Sequence, residues 1–208
     1  GLDGLATFPV IIASMAMPFS PHGGTKVLSG NLGRAVMKTS AVPSDHQIIE
    51  GPAVVFESQH DVGPAFESGA LDRDCVVVVR YQGPRAIGMP ELHKLMPPLG
   101  VLLDRGFKVA LVTDGRLSGA SGKVPSAIHV TPEAYCGGLL AKIRNGDRVR
   151  VDGVTGELSL LVDAAELAAR HTDLPDIAAF HVGSGRELFG ALREQLSGAE
   201  QGACCIRF

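Results

Sequence analysis

Side chains able to do chemistry gather most densely in residues 113–123, where Asp114, Arg116, Ser118, Ser121 and Lys123 are interleaved with Gly115, Gly119 and Gly122. A carboxylate, a guanidinium, two hydroxyls and an ammonium can between them hold an anion and move a proton. A serine whose alkoxide is stabilised by neighbouring cations and N–H donors can also act as a base or nucleophile. The apolar run over 108–113 has the length of a buried strand, and the glycines that follow permit a sharp turn at its end. Open α/β sheets place ligands at such strand ends, where turn N–H groups point outward. The competing reading is a polar strand-to-loop turn in which Ser118 bonds its own backbone, Asp114 forms the turn and Arg116 is a salt-bridge partner.

A second site candidate is Glu91, in Gly88-Met89-Pro90-Glu91, which stands just before an apolar helical stretch. A carboxylate there suits either the start of a helix or a hard divalent cation. Ser121 and Lys123, with the N–H groups of Gly119 and Gly122, are candidates for holding an anionic end of a ligand; Arg34, Lys38 and Arg85 are weaker options for it, each more often a solvated or paired surface charge. His93 lies near Glu91 in the chain and His129 ends a strand, but neither has metal-ligand spacing to a partner. Cys75, Cys136, Cys204 and Cys205 also lack the spacing of a zinc or cluster site, so a reduced, cytoplasmic protein is expected, with Cys75 a buried apolar residue.

The elements that must position these groups are short strands joined by glycine turns, with 26 glycines in 208 residues. Strands are predicted at 26–28, 35–38, 53–56, 75–81, 108–113, 126–129, 148–151 and 157–162, enough to close a barrel. Helices are predicted at four places: within 58–68, after a Thr131 cap with Pro132 at its first position, after Asp163, and after a capping box at 184–187 with Gly198 ending it. The length suits one domain, 1–208. A net charge of −3 with scattered Lys and Arg gives no field for nucleic acid. The apolar residues 5–19 are broken by Pro9 and too short for a membrane span, so they are expected in the core or an interface.

The strings TDGRLSGAS (113–121), GPRAIGMPEL (83–92) and SGNLG (29–33) resemble the dihydroxy-acid/6-phosphogluconate dehydratase family. GMPELHKLMPPLG (88–100), the continuation to HVTPEA (129–134) and SGAEQGACCI (197–206) resemble its phosphogluconate branch. The resemblance covers nearly the whole chain but only the C-terminal third of the family's length. It implies an α/β fold, a β-barrel-centred swivelling domain with peripheral helices like that of the aconitase-like dehydratases. It also implies a hydro-lyase converting 6-phospho-D-gluconate to 2-dehydro-3-deoxy-6-phospho-D-gluconate in the Entner–Doudoroff route, with the lone fragment inactive.

In that reading Ser118 is the alkoxide base, Asp114, Arg116, Ser121 and Lys123 meet the substrate, and Glu91 helps hold Mg2+. An iron–sulfur cluster, expected as the 4Fe–4S form, is bound by the absent N-terminal domain and eases departure of hydroxide as a Lewis acid. The partners implied are that domain, the substrate and a second copy in a homodimer. Two alternatives stand: a non-catalytic module binding phosphorylated sugar acids, and a dehydratase of another 2,3-dihydroxy acid.

Overall fold

Eight strands close into one barrel in the computed structural model of the chain, which describes residues 13–20, 22–118 and 122–206. They are β1 (Thr25–Gly30), β2 (Gly33–Lys38), β3 (Ile48–Phe56), β4 (Cys75–Val79), β5 (Val109–Thr113), β6 (Ser126–Thr131), β7 (Arg148–Asp152) and β8 (Glu157–Leu160). Around the barrel the order is β1-β2-β6-β5-β4-β3-β7-β8, with β8 returning to β1. Each predicted strand is present. The 75–81 prediction overruns β4, because the chain turns outward at Tyr81, whose φ is +62°. The 53–56 prediction catches only half of β3. The earlier half pairs with β7 and the later half with β4, and Gly51-Pro52 lies at the changeover.

Strands β3, β4, β5 and β6 run parallel, so each is joined to the next by a crossover that returns the chain to the starting end. Helix α1 (Val62–Glu67) makes the first return and α2 (Met96–Asp104) the second. This arrangement explains the unbroken valines of β4. Val76 and Val78 fill the barrel, while Cys75, Val77 and Val79 lie in a second apolar layer with Leu99 and Leu102 of α2. Burial also pushes the Cys75 thiol up to about 11, so it behaves as a small apolar group.

The helix predictions fare unevenly. Ser58 caps a 3-10 turn leading into α1, and the Asp163 carboxylate accepts from the Ala165 and Glu166 N–H groups at the start of α3 (Ala164–Ala169). No helix follows Thr131. That residue is drawn into β6, and the Ala134 N–H is bound by Asp114, leaving only a 3-10 turn at Ala134–Cys136. The 184–187 box is absent too, since Ser184 and Gly185 both have positive φ. In its place a 3-10 turn leads into α4 (Gly190–Glu194), and Gly198 precedes a new 3-10 turn instead of ending a helix. Leu188, Phe189 and Leu192 of this segment are exposed, so no buried face extends the helix. Residues 5–12 of the apolar N-terminal stretch lie outside the described residues, while Met15, Met17 and Phe19 are exposed and hence not core.

One buried ion pair fastens the tail to the barrel. Arg170, only 6% exposed, binds Asp147, donates to the Lys142 carbonyl at 3.0 Å and meets Glu166 at 2.6 Å. Truncating it would strand the Asp147 carboxylate, so Arg170→Ala is expected to lower unfolding free energy by about 3 kcal/mol. The urea midpoint of the variant against the parent checks this.

Candidate functional site

The carboxyl ends of β4, β5 and β6 and the β1–β2 hairpin share one end of the barrel, and the suspected motifs meet there. Gly33 closes the hairpin with φ +106°, and an added Cβ would stand 2.2 Å from the Thr131 carbonyl oxygen. Asn31 locks the hairpin to β8 through two 2.8 Å bonds with the Leu160 backbone. Arg85 donates its backbone N–H to the Glu133 carboxylate at 3.0 Å, which docks the 83–88 turn on the end of β6.

Asp114 sits at the centre of this end with no exposed surface. Its carboxylate accepts the N–H groups of Tyr81 at 3.2 Å, Gln82 at 2.8 Å and Ala134 at 2.9 Å. It therefore staples the ends of β4 and β6 together beneath the loop that carries Arg116 and Ser118. With its oxygens accepting three buried N–H groups, Asp114 is placed to hold the base of the loop. Gly115 follows under close packing: a Cβ would meet Leu92 at 2.8 Å and Gln82 at 2.9 Å.

Burial raises the Asp114 carboxyl from 3.8 to about 6, against the lowering effect of its N–H partners, and Glu133 is raised as well, chiefly by burial. Between about pH 4 and 6 the folded state thus holds a proton on Asp114 that the unfolded chain has released. The resulting stabilisation is complete below about pH 4 and is lost as pH rises through 6. Stability should fall across that window by about 3 kcal/mol, and Asp114→Asn should flatten the slope in melts between pH 4 and 7.5.

Above the staple, the structure brings three predicted residues together. The Glu91 carboxylate receives the Arg116 guanidinium at 2.8 Å on one oxygen and the Ser118 N–H at 2.8 Å on the other. Arg116 also donates to the Met89 carbonyl at 2.8 Å, and its own carbonyl accepts the Leu92 N–H at 3.2 Å. The 88–92 and 115–118 segments form one clamp with Ser118 exposed at its rim. Ser121 lies outside the described residues. Lys123 does not join the clamp: it pairs with Asp104, the last residue of α2, near the start of β5. Because β5 and β6 are parallel, β6 begins at the end of the barrel opposite the end of β5. Lys123 is thereby roughly 16 Å, a five-residue strand length, from the Asp114 end. His93 lines a hollow with Asp104, Gly122 and Lys123 on the α2 side.

Within this chain Glu91 is the one group expected to meet a metal, and the cluster ligands were expected outside it. Both Glu91 oxygens already accept hydrogen bonds, one of them from a cation, and among the described residues no three His, Cys, Asp or Glu side chains gather as metal ligands. The four cysteines are scattered between β4, the turn after β6 and the tail. Among the described residues no helix is long and apolar enough to cross a membrane.

Glu133 and His129 are site-end residues that spacing alone did not single out. The signal for Glu133 was a carboxylate in the same phrase as the end of β6. His129 donates its backbone N–H to the Gly115 carbonyl at 2.9 Å.

Residues 10–203 match the family model described as "Dihydroxy-acid/6-phosphogluconate dehydratase C-terminal". The chain is 80% identical over 198 residues to a phosphogluconate dehydratase of Escherichia coli K12, a match covering 95% of this chain and 33% of that protein. It is 60% identical over 194 residues to a phosphogluconate dehydratase of Pseudomonas aeruginosa, covering 93% of this chain and 32% of that protein. Identity is 40% over 167 residues to a dihydroxy-acid dehydratase of Pyrococcus furiosus, covering 78% of this chain and 30% of that protein. The chain spans about a third of the length of these relatives.

Proposed function

The chain belongs to the dihydroxy-acid/6-phosphogluconate dehydratase family, and on that premise we propose that it is the C-terminal part of a hydro-lyase that dehydrates 6-phospho-D-gluconate to 2-dehydro-3-deoxy-6-phospho-D-gluconate. The observation that carries the choice of substrate is the 80% identity to a phosphogluconate dehydratase across 95% of the chain. In the proposed reaction the C2 proton passes to the Ser118 oxygen and the C3 hydroxyl leaves, taking up a proton to depart as water. The resulting enol then rearranges to the 2-keto acid.

The chain's own contribution is positional. Glu91 holds the Ser118 N–H and so fixes where the Ser118 side chain starts, while Arg116 supplies a positive charge at the same rim for a substrate carboxylate. Asp114 acts beneath them as a positioning residue. In this proposal the cluster ligands, and the further ligands of a divalent ion at Glu91, come from the two-thirds of the relatives' length that lies outside the given sequence. An ion at Glu91 would first have to displace Arg116.

The test is anaerobic turnover by the chain joined to the N-terminal two-thirds of its E. coli relative. Substrates are 6-phospho-D-gluconate and, separately, 2,3-dihydroxy-3-methylbutanoate, with keto-acid formation as the readout. Preference for the phosphorylated acid supports the proposal. Preference for the branched acid would move the chain to the dihydroxy-acid branch, and binding without turnover of either would favour a binding module.

A further inference from the structure

We infer that the hollow on the outer face of β2 and β6, lined by Arg34, Val36, His129 and Gln201, is the subsite for the phosphate end of the substrate, and that Glu200 occupies the guanidinium the phosphate would take. The inference rests on the reading of the chain as part of a 6-phosphogluconate dehydratase.

Strand alternation sets one wall. Ala35 and Met37 point into the barrel core, which turns Arg34 and Val36 outward. A bulge sets the other: Val36 stands opposite Ile128 and Arg34 opposite Thr131, so two steps of β2 span three of β6. His129 lies within that bulge at φ +57°, a backbone state that costs a side-chain-bearing residue energy and recurs at ligand sites. Its N–H on the Gly115 carbonyl ties the bulge to the loop that carries Arg116 and Ser118.

The hollow measures about 440 Å³, and its His129 lies near enough to Arg116 to feel that charge, whereas Lys123 pairs with Asp104 near the start of β5. Burial, and then the nearby Arg116 charge, lower the His129 imidazole below its ordinary range, so at neutral pH it is uncharged and keeps one N–H to donate.

Arg34 meets Glu200 at 3.2 Å, with side chains 61% and 37% exposed, and among the described residues Glu200 is the only carboxylate lining the hollow. Water screens so open a pair heavily. A phosphate monoester carries more charge and three acceptor oxygens, and it suits a forked guanidinium better than one carboxylate does. Glu200 sits on the short 3-10 turn Ala199–Gln201, so its release needs no strand to move.

Arg34→Ala and Glu200→Gln in the full-length enzyme test this by opposite signs. Arg34→Ala is expected to raise KM for 6-phosphogluconate 10- to 50-fold, with the loss falling on KM rather than kcat. It should weaken competitive inhibition by inorganic phosphate by a similar factor and leave KM for unphosphorylated gluconate within twofold. Glu200→Gln is expected to lower KM and the phosphate inhibition constant about threefold, which mere loss of a tail contact would not do. Unchanged KM in Arg34→Ala, equal losses on gluconate, or weaker phosphate binding in Glu200→Gln would each overturn the subsite. An enzyme that turns over no 6-phosphogluconate would instead sink the functional reading. In that case broadening of the inorganic phosphate 31P signal, present in the parent and lost in Arg34→Ala, still reports on the subsite.

Discussion

Ser118→Ala in the full-length enzyme is expected to cut kcat for 6-phosphogluconate about 10³-fold, the scale of a lost general base, while KM stays within a fewfold of the parent. The backbone anchor of the loop is kept in this substitution. Ser118 is anchored through its backbone N–H to Glu91 at 2.8 Å, a bond alanine keeps, and its side chain is exposed at the rim of the clamp. The Glu91 hold on the loop should therefore survive. Keto-acid formation at saturating substrate, alongside a thermal melt, separates lost chemistry from lost structure. A fall in kcat smaller than tenfold would remove Ser118 as the base. A large rise in KM with kcat unchanged would make it a binding group.

Much of the barrel was legible because burial on both faces leaves an unmistakable mark. β4 and β5 read as continuous apolar runs, since one side faces the barrel interior and the other faces α2. β3 was half-hidden because Gly51-Pro52 resembles a turn. In a strand that changes partners at that point, a residue lacking an N–H is tolerated. The helix expected after Thr131 failed for a reason local propensity cannot contain. The N–H of Ala134, which a helix would have left to water or a cap, is taken by Asp114, twenty residues earlier in the chain.

The site was legible in part for a similar reason. Arg116 and Lys123 are seven positions apart, yet β5 and β6 are parallel, so β6 begins at the end of the barrel opposite the end of β5. Nearness in sequence across a parallel connection is a poor guide to nearness in space. Glu91 and Ser118 came together in the opposite way, through a bridge between Glu91 and Arg116 that joins segments 25 residues apart. Their association was carried by resemblance, and the hydrogen bonds supply its physical form. Asp114 was read from the sequence either as a turn former or as a substrate contact. Only the positions of the Tyr81, Gln82 and Ala134 N–H groups turn it inward.

That inward position makes Asp114→Ala the most damaging single truncation expected for stability. Three backbone N–H groups, at 2.8 to 3.2 Å from the carboxylate, would lose their acceptor in a region closed to water. Each orphaned donor costs roughly 1–3 kcal/mol, and removal of a desolvated carboxylate at neutral pH returns part of that. A net loss of about 4 kcal/mol follows, a large fraction of a domain's stability.

Asp114→Asn should cost less, about 1–2 kcal/mol, because its carbonyl can still serve one side of the staple while its amide faces a donor on the other. Denaturation midpoints at pH 7 for the two variants and the parent test the ranking. Loss of the staple also frees Gln82, against which Gly115 packs, so the loop bearing Arg116 and Ser118 should shift even where the variant remains folded. Faster amide exchange at residues 115–118 in Asp114→Asn would register that shift. If Asp114→Ala instead lies within 1 kcal/mol of the parent, the ends of β4 and β6 hold each other without it, and the positioning role assigned to Asp114 falls.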